Sequence, residues 1–267
     1  MKRQLPIHII EGTEFIVDVQ QGQLRQADKP ENVILFEDMQ YKESHYTFRY
    51  DLSTKNIPFS FTADPKNARE VQVPQMVTLD PAGMAEKYSI PVLSLKDKTD
   101  FDIIVDKKLL QERLNGKLPM INIAGHDFIV DFRLKELRPK DDFSTSIRLH
   151  DLHYVIEQEK YLAYYHPASH QVIDIDPARI KEVPRGVVLI EIPFERKLDP
   201  VAAAREYGMD YKDMLVKYPI LKNLQANVIP IEQTNLPKLV KTNREREKQL
   251  EKNKLKKSLK RKRGKRI

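Results

Sequence analysis

The sequence predicts an α+β protein: a tandem duplication of a small antiparallel β-sheet plus short-helix unit, with a basic C-terminal tail. Three observations lead to this fold class: a 35-residue block that recurs at an offset of 113, β-branched runs separated by turns within each block, and an Asp-Pro helix start that recurs at an offset of 119. The chain has 267 residues, which is enough to bury a hydrophobic core without disulfide bonds.

The duplication is read from two blocks that recur in the same order. Residues 5–39 align without gaps to residues 118–152, and 13 of the 35 aligned positions are identical, among them Gly12/Gly125, Asp18/Asp131 and Arg25/Arg138. In the second block, Leu79-Asp80-Pro81 recurs as Leu198-Asp199-Pro200, and Ala85 and Tyr88 recur as Ala204 and Tyr207. We therefore predict a first α+β repeat over residues 1–116, a second over 117–235 and a tail over 236–267.

The first block of each repeat predicts antiparallel strands. Ile7 to Ile10 and Phe15 to Val19 are β-branched and aromatic runs, and the Gly12 between them is typical of a hairpin turn with a left-handed backbone. A third strand is predicted over Val33 to Phe36 and a fourth over Tyr46 to Tyr50. Their counterparts in the second repeat are Ile147 to Leu149 and Tyr161 to Tyr165.

The second block predicts helix starts. An aspartate accepts N–H bonds at a helix N-cap, and a proline in the first helical position loses no donor, so Asp80-Pro81 and Asp199-Pro200 each begin a helix. Gly208 is placed to end the second helix as a left-handed cap, where the first has Ser89. A further helix is predicted over roughly 106–114, ending at Asn115-Gly116 between the repeats.

The tail carries the charge asymmetry of the chain. Residues 241–267 contain 14 Lys and Arg against three acidic residues, whereas the other 240 residues contain 32 basic and 36 acidic side chains. Such a distribution is typical of an arm that binds a polyanion. The predicted nucleic-acid-binding residues are the densest run of cations: Lys256, Lys257, Lys260, Arg261, Lys262, Arg263, Lys265 and Arg266.

Two constellations are weighed as sites of chemistry. His150, His153, His166 and His170, with Asp174 and Asp176, could surround a metal ion, but their spacing on predicted strands and turns favours exposed histidines. Asp18 and Asp131 could form a catalytic carboxylate pair; a structural clamp to Arg25 and Arg138 is the favoured interpretation.

Composition and motifs narrow the function classes. Cysteine is absent, which excludes disulfides, thiolate metal sites and a cysteine nucleophile, and no phosphate loop, GxSxG or HExxH motif occurs. We predict no catalytic residues, no metal and no cofactor. No apolar run reaches the roughly 18 residues of a membrane span, and the N-terminal apolar stretch is too short for an export signal, so a cytoplasmic protein without membrane contact is expected.

The predicted function is that of a non-enzymatic binding or adaptor protein whose tail contacts RNA, DNA or the ribosome without sequence specificity, with another protein as a further possible partner. Two alternatives stay open. One is a metal-dependent hydrolase that uses the histidine region from residue 150 to 170. The other is a peptide-binding module that uses an exposed sheet edge.

Overall fold

The computed structural model describes residues 3–58, 67–142 and 145–263, with side chains described as far as residue 254. Helices and several antiparallel sheets are mixed along the chain, so the α+β class is confirmed. The contacts divide the protein into two compact units: the first consists of Met1–Lys117 with Glu195–Lys222, and the second of Leu118–Phe194 with Asn223–Ile267.

The first unit begins with two antiparallel sheets. The first sheet has the order β1-β2-β3-β4, with strands β1 (Ile7–Ile10), β2 (Thr13–Asp18), β3 (Gln23–Gln26) and β4 (Val33–Leu35). The second has the order β5-β6-β7, with β5 (Gln40–Tyr41), β6 (His45–Asp51) and β7 (Ala68–Pro74). Glu11 and Gly12 both have positive φ between β1 and β2, the backbone of a tight hairpin turn.

Short helices follow the sheets: α1 (Met76–Leu79), α2 (Pro81–Tyr88), α3 (Asp100–Ile104) and α4 (Lys107–Leu114). The Asp80 side chain accepts the N–H of Gly83, Pro81 begins α2, and Ser89 ends it with a left-handed φ of 53°. Asp106 caps α4 in the same way through the N–H groups of Lys108 and Leu109. The helix starts predicted at Asp80-Pro81 and near residue 106 are therefore present.

The second unit also contains two sheets. One sheet contains β8 (Met120–Ile123), β9 (His126–Asp131), β10 (Glu136–Pro139) and β11 (Ile147–Arg148). The other contains β12 (His153–Val155), β13 (Lys160–His166), β14 (Gln171–Ile173) and β15 (Val188–Pro193). Strands β3 and β10 are among those not predicted; their sequences, Gln-Leu-Arg-Gln and Glu-Leu-Arg-Pro, lack a β-branched or aromatic run.

The chain then returns to the first unit with α5 (Glu195–Leu198), α6 (Pro200–Tyr207) and α7 (Tyr211–Lys217). Asp199 caps α6 through the N–H of Ala202, and Gly208 ends it with a φ of 65°. The second unit is completed by β16 (Leu224–Gln225), β17 (Asn227–Pro230) and α8 (Leu236–Arg263). Strand β16 runs parallel to β8 and covers its outer edge.

Each unit has its own core. In the first unit, Phe15, Leu24, Tyr46, Tyr50 and Met84 are completely buried, and Val216 of α7 belongs to the same cluster. A smaller cluster joins Val105 and Leu110 to Val201 and Leu215, so that α6 and α7 pack on the first 117 residues. In the second unit, Val187 and Ile231 pack on Leu236 at the start of α8.

Candidate nucleic-acid interface

The base of helix α8 is held on the second unit by apolar contacts. Leu236 is fully buried and packs with Val187 and Ile231, and Val240 is also buried one turn later. These two residues lie four positions apart, so they share one face of the helix. The first turns of α8 are thus part of the folded unit.

Polar side chains extend this docking as far as residue 247. The Asn243 amide donates to the carbonyls of Pro177 (2.9 Å) and Ile180 (3.0 Å), and Glu247 pairs with Lys181. Arg244 and Arg246 donate to two further carbonyls, of Lys181 and Ala178, each at 2.5 Å. These two arginines therefore serve a structural role, and α8 contacts the second unit as far as residue 247, beyond residue 236, where the predicted tail begins.

Beyond residue 247 the side chains that the structure describes, those of residues 248–254, are exposed. None of Lys248, Lys252 and Lys254 forms an ion pair within the described chain. Residues 248–267 contain 11 Lys and Arg and one acidic residue, Glu251. Unpaired, solvated cations are the groups that bind phosphate by releasing counterions.

The predicted binding residues lie in and beyond the last turns of α8. The helical backbone continues to Arg263, so it includes Lys256, Lys257, Lys260, Arg261, Lys262 and Arg263, whose side chains lie outside the described part of the structure. Lys265 and Arg266 lie outside the described residues altogether. The backbone therefore places six of the eight predicted residues on one continuous helix.

The histidines of the second unit are dispersed. His150 lies 3.2 Å from Asp151, at an exposed position, and His166 contacts the Ser169 hydroxyl at 3.0 Å. The His170 ring instead packs on His126, with 3.7 Å between centroids, and His153 is exposed on β12. Within the described ranges, no three His, Asp or Glu side chains are placed to hold a metal ion.

The predicted Asp–Arg clamp forms at one of its two positions. Arg138 donates to Asp131 at 2.7 Å across strands β9 and β10. In the first unit, the described residues show no ion pair between Asp18 and Arg25; Asp18 accepts the N–H of Gln21 instead. The prediction is therefore right for Asp131 and wrong for Asp18. The strand register is the same in both units, since Arg25 lies opposite Ile16 as Arg138 lies opposite Ile129.

Sequence reasoning missed two buried ion pairs. Asp80 and Asp199, recognised only as N-caps, also bind arginines: Arg3 at 2.6 and 2.7 Å, and Arg113 at 2.8 to 3.1 Å. Both carboxylates are almost completely buried. The sequence signal for these contacts is weak: an arginine precedes each Leu-Pro pair, Arg3 before Leu5-Pro6 and Arg113 before Leu118-Pro119. The two arginines are 110 positions apart and not 113, so the alignment of the repeats does not match them.

A cavity of about 260 Å³ in the first unit is lined by residues that include Phe36, Tyr46, Tyr88, Lys87 and Lys217. Lys87 donates to the Val19 carbonyl at 2.7 Å, and burial lowers its pKa. Lys217 pairs with the buried Asp213 at 3.0 Å. Both ammonium groups are thus engaged in bonds that hold the unit together.

Behind this cavity, Asp100 stabilises the start of α1. Its carboxylate accepts the Tyr46 hydroxyl at 2.6 Å and the N–H groups of Met76 and Val77 at 2.9 and 2.8 Å. Burial raises the pKa of Asp100, and burial beside that carboxylate raises the pKa of Tyr46 as well. Since Gln75 provides no side-chain cap for α1, Asp100 satisfies the N–H groups that a cap would otherwise bind.

Comparison of the chain with protein-family models, with curated proteins and with solved structures finds no match. The function is therefore inferred from the chemistry of the chain itself. In the described part of the protein, no helix combines the length and the apolar character that crossing a bilayer requires.

Proposed function

We propose that this chain is a non-enzymatic binding or adaptor protein that contacts RNA, DNA or the ribosome through residues 248–267. The observation that carries the proposal is the division of α8 at residue 247: the preceding arginines are bonded to backbone carbonyls, whereas the described cations that follow, Lys248, Lys252 and Lys254, are exposed. As part of this proposal, the protein acts in the cytoplasm and has no contact with a membrane.

The binding is proposed to depend on phosphates and not on bases. Residues 241–267 contain no aromatic side chain, so stacking on bases is not available to them. The other 240 residues contain more acidic than basic side chains, 36 against 32, so they add no general attraction for a polyanion. Most of the affinity is thus assigned to the C-terminal segment.

A tandem duplication is proposed for the rest of the chain. Three strand pairings of the first unit support it, because each recurs 113 positions later. The pair Ile7–Ile16 recurs as Met120–Ile129, Val17–Leu24 recurs as Val130–Leu137, and Leu24–Ile34 recurs as Leu137–Ile147. Helices α2 and α6, each with an aspartate cap and a following proline, support it at the offset of 119. The two repeats would then be a scaffold that presents the basic segment.

A metal-dependent hydrolase is not carried forward as a second candidate, because the described histidines face different partners and do not converge. For a binding or adaptor protein, an exposed sheet edge favours a protein partner, because a strand of that partner can pair with the edge.

The test is a salt titration of binding to a duplex DNA and to a single-stranded RNA, with the full chain and with a variant in which Lys260, Arg261, Lys262 and Arg263 are changed to Gln. For the full chain, six to ten phosphate contacts predict a fall in affinity of about 10³ to 10⁵ between 50 and 200 mM salt. For the variant, the slope of log K against log salt on duplex DNA should decrease by about 3 to 4.

The matched control is the double variant Arg244→Gln and Arg246→Gln. It also removes positive charges from α8, but these side chains bond to carbonyls, so the salt slope should stay within about 0.5 of that of the full chain. Absence of binding by the full chain at 50 mM salt, or an unchanged slope in the four-residue variant, would exclude the proposed function.

A further inference from the structure

Strand β1 leaves one edge of the first sheet unpaired. It pairs with β2 on one side, and within the described residues no strand pairs with its other side. The Val17 N–H donates to the Pro6 carbonyl at 2.9 Å. Because the direction of backbone groups alternates along a strand, His8 and Ile10 then face β2, whereas the N–H and C=O groups of Ile7 and Ile9 point outward.

The corresponding strand of the second unit has the same geometry, but its edge is covered. Asn122 of β8 lies opposite Asp127, as Ile9 lies opposite Glu14. Its outward carbonyl accepts the N–H of Ala226 at 2.9 Å, next to the parallel strand β16. An outward carbonyl at this position is thus able to accept a strand, and Ile9 has no such partner in the described chain.

Within the described residues, the open edge is apolar and lacks the usual protection against pairing. The side chains of Ile7 and Ile9 are 55% and 61% exposed, and they project from the same face of the sheet. Natural edge strands are usually protected by a lysine, a proline, a bulge or a covering segment. The sequence Ile-His-Ile-Ile of β1 contains none of these residues, and its pairing with β2 is regular.

We propose that β1 pairs antiparallel with β1 of a second copy of this chain, with the twofold axis at His8. Ile7 of one copy then lies opposite Ile9 of the other, and the outward N–H and C=O groups of these residues form four hydrogen bonds. The four isoleucine side chains meet on one face of the sheet, which extends from four strands to eight.

Apolar complementarity and symmetry favour a second copy over an unrelated strand. In the twofold register the exposed Ile7 of each copy meets the exposed Ile9 of the other, so the apolar edge is its own complement. The charged residues that flank β1 are engaged within the chain, Arg3 with Asp80 and Glu11 with Arg69. A twofold pairing uses the β1 edge of each copy and therefore closes after two copies. The inference is independent of the function proposed for the C-terminal segment.

The first experiment measures the molar mass of the full chain by light scattering over a concentration series from about 1 to 500 µM, since a short edge gives a weak dimer. The mass should rise from 31.3 kDa toward twice that value. The variant Ile9→Lys should stay monomeric throughout. The matched control Leu93→Lys changes a residue that is 91% exposed and distant in sequence from β1, and it should dimerise like the unmodified chain.

The second experiment tests the register and uses the absence of cysteine from the chain. In the proposed pairing, His8 lies opposite His8 of the second copy as a non-hydrogen-bonded pair, with about 4.5 Å between Cα atoms, which a disulfide can span. The variant His8→Cys should therefore form a disulfide-linked dimer under mild oxidation, faster than the more exposed control Leu93→Cys.

Three results would overturn the proposal: a monomeric full chain at every concentration, dimerisation of Ile9→Lys equal to that of the unmodified chain, or equal oxidation of the two cysteine variants. The first result, combined with binding of an apolar extended peptide that Ile9→Lys abolishes, would assign the edge to a foreign strand.

Discussion

At the scale of single residues, two aspartates each perform two tasks. Asp80 and Asp199 cap α2 and α6, and each buried carboxylate also binds an arginine, Arg3 or Arg113. A capping aspartate is commonly solvated on its outer side. Here the guanidinium replaces water, so the helix start is tied to a residue 77 or 86 positions earlier in the chain.

Gly83 provides the space for one of these pairs. A Cβ atom at this position would lie 2.2 Å from Asp80 Oδ2 and 2.8 Å from an Arg3 nitrogen. Replacement of glycine by alanine within a helix usually stabilises by about 1 kcal/mol. We expect the opposite for Gly83→Ala, a loss of about 2 to 4 kcal/mol in unfolding free energy measured by denaturant titration, because the buried carboxylate loses its partner.

The control for this prediction is Ala202→Gly. Ala202 occupies the same place in α6, where the Arg113 guanidinium binds Asp199 through Nε and one terminal nitrogen. This change should cost about 1 kcal/mol, the ordinary helix propensity difference. A gain in stability for Gly83→Ala would show that Arg3 does not bind Asp80 as described.

At the scale of elements, α8 consists of a docked part and a free part. Its docked face contains Leu236, Val240, Asn243 and Glu247, at intervals of four, three and four residues, which lie on one side of a helix. From residue 248 to residue 254 every residue of the helix is exposed, Leu250 among them. Over these residues the helix is therefore solvated on all sides.

This division predicts that two truncations to alanine reduce the stability of the protein by different amounts. Val240→Ala should reduce the unfolding free energy by about 2 kcal/mol, because it removes two buried methyl groups. Leu250→Ala, in the same helix but exposed, should change it by less than about 0.5 kcal/mol. Denaturant titrations of the two variants decide the point; equal losses would contradict the position of the boundary.

At the scale of the whole molecule, the chain order does not follow the compact units. Residues 195–222 pack with the first 117 residues. They supply Val201, Leu215 and Val216 to the hydrophobic clusters of the first unit. Asp213 also accepts the N–H of Tyr41 at 2.7 Å. The first unit is thus completed only after the second has been largely synthesised.

We therefore expect that a fragment of residues 1–117 does not fold on its own. It lacks the partners of Val105, Leu110 and Arg113, and it exposes their apolar surface. Thermal unfolding followed by circular dichroism should show no cooperative transition. The control fragment, residues 1–117 joined by a flexible linker to residues 195–222, should recover one. A cooperative transition of the short fragment would contradict the division into units.

The local structure could be predicted from the sequence because it depends on residues that are close together in the chain. The Glu11-Gly12 turn, the strands on either side of it, the caps at Asp80 and Asp199 and the end of α6 at Gly208 all follow from turn chemistry and capping over a few positions. The charge of the C-terminal segment is likewise a property of composition alone.

Only the tertiary structure decided which of these elements meet. Several features join residues that are far apart in the chain: the pairs Arg3–Asp80 and Arg113–Asp199, the covering of β8 by β16, and the docking of α8 as far as Glu247. The open edge of β1 depends on the absence of such a neighbour in the described chain. A local pattern specifies what a segment can bury or bond; the partner that it finds is set by packing the whole chain, where burial and long-range hydrogen bonds offset the entropy of ordering it.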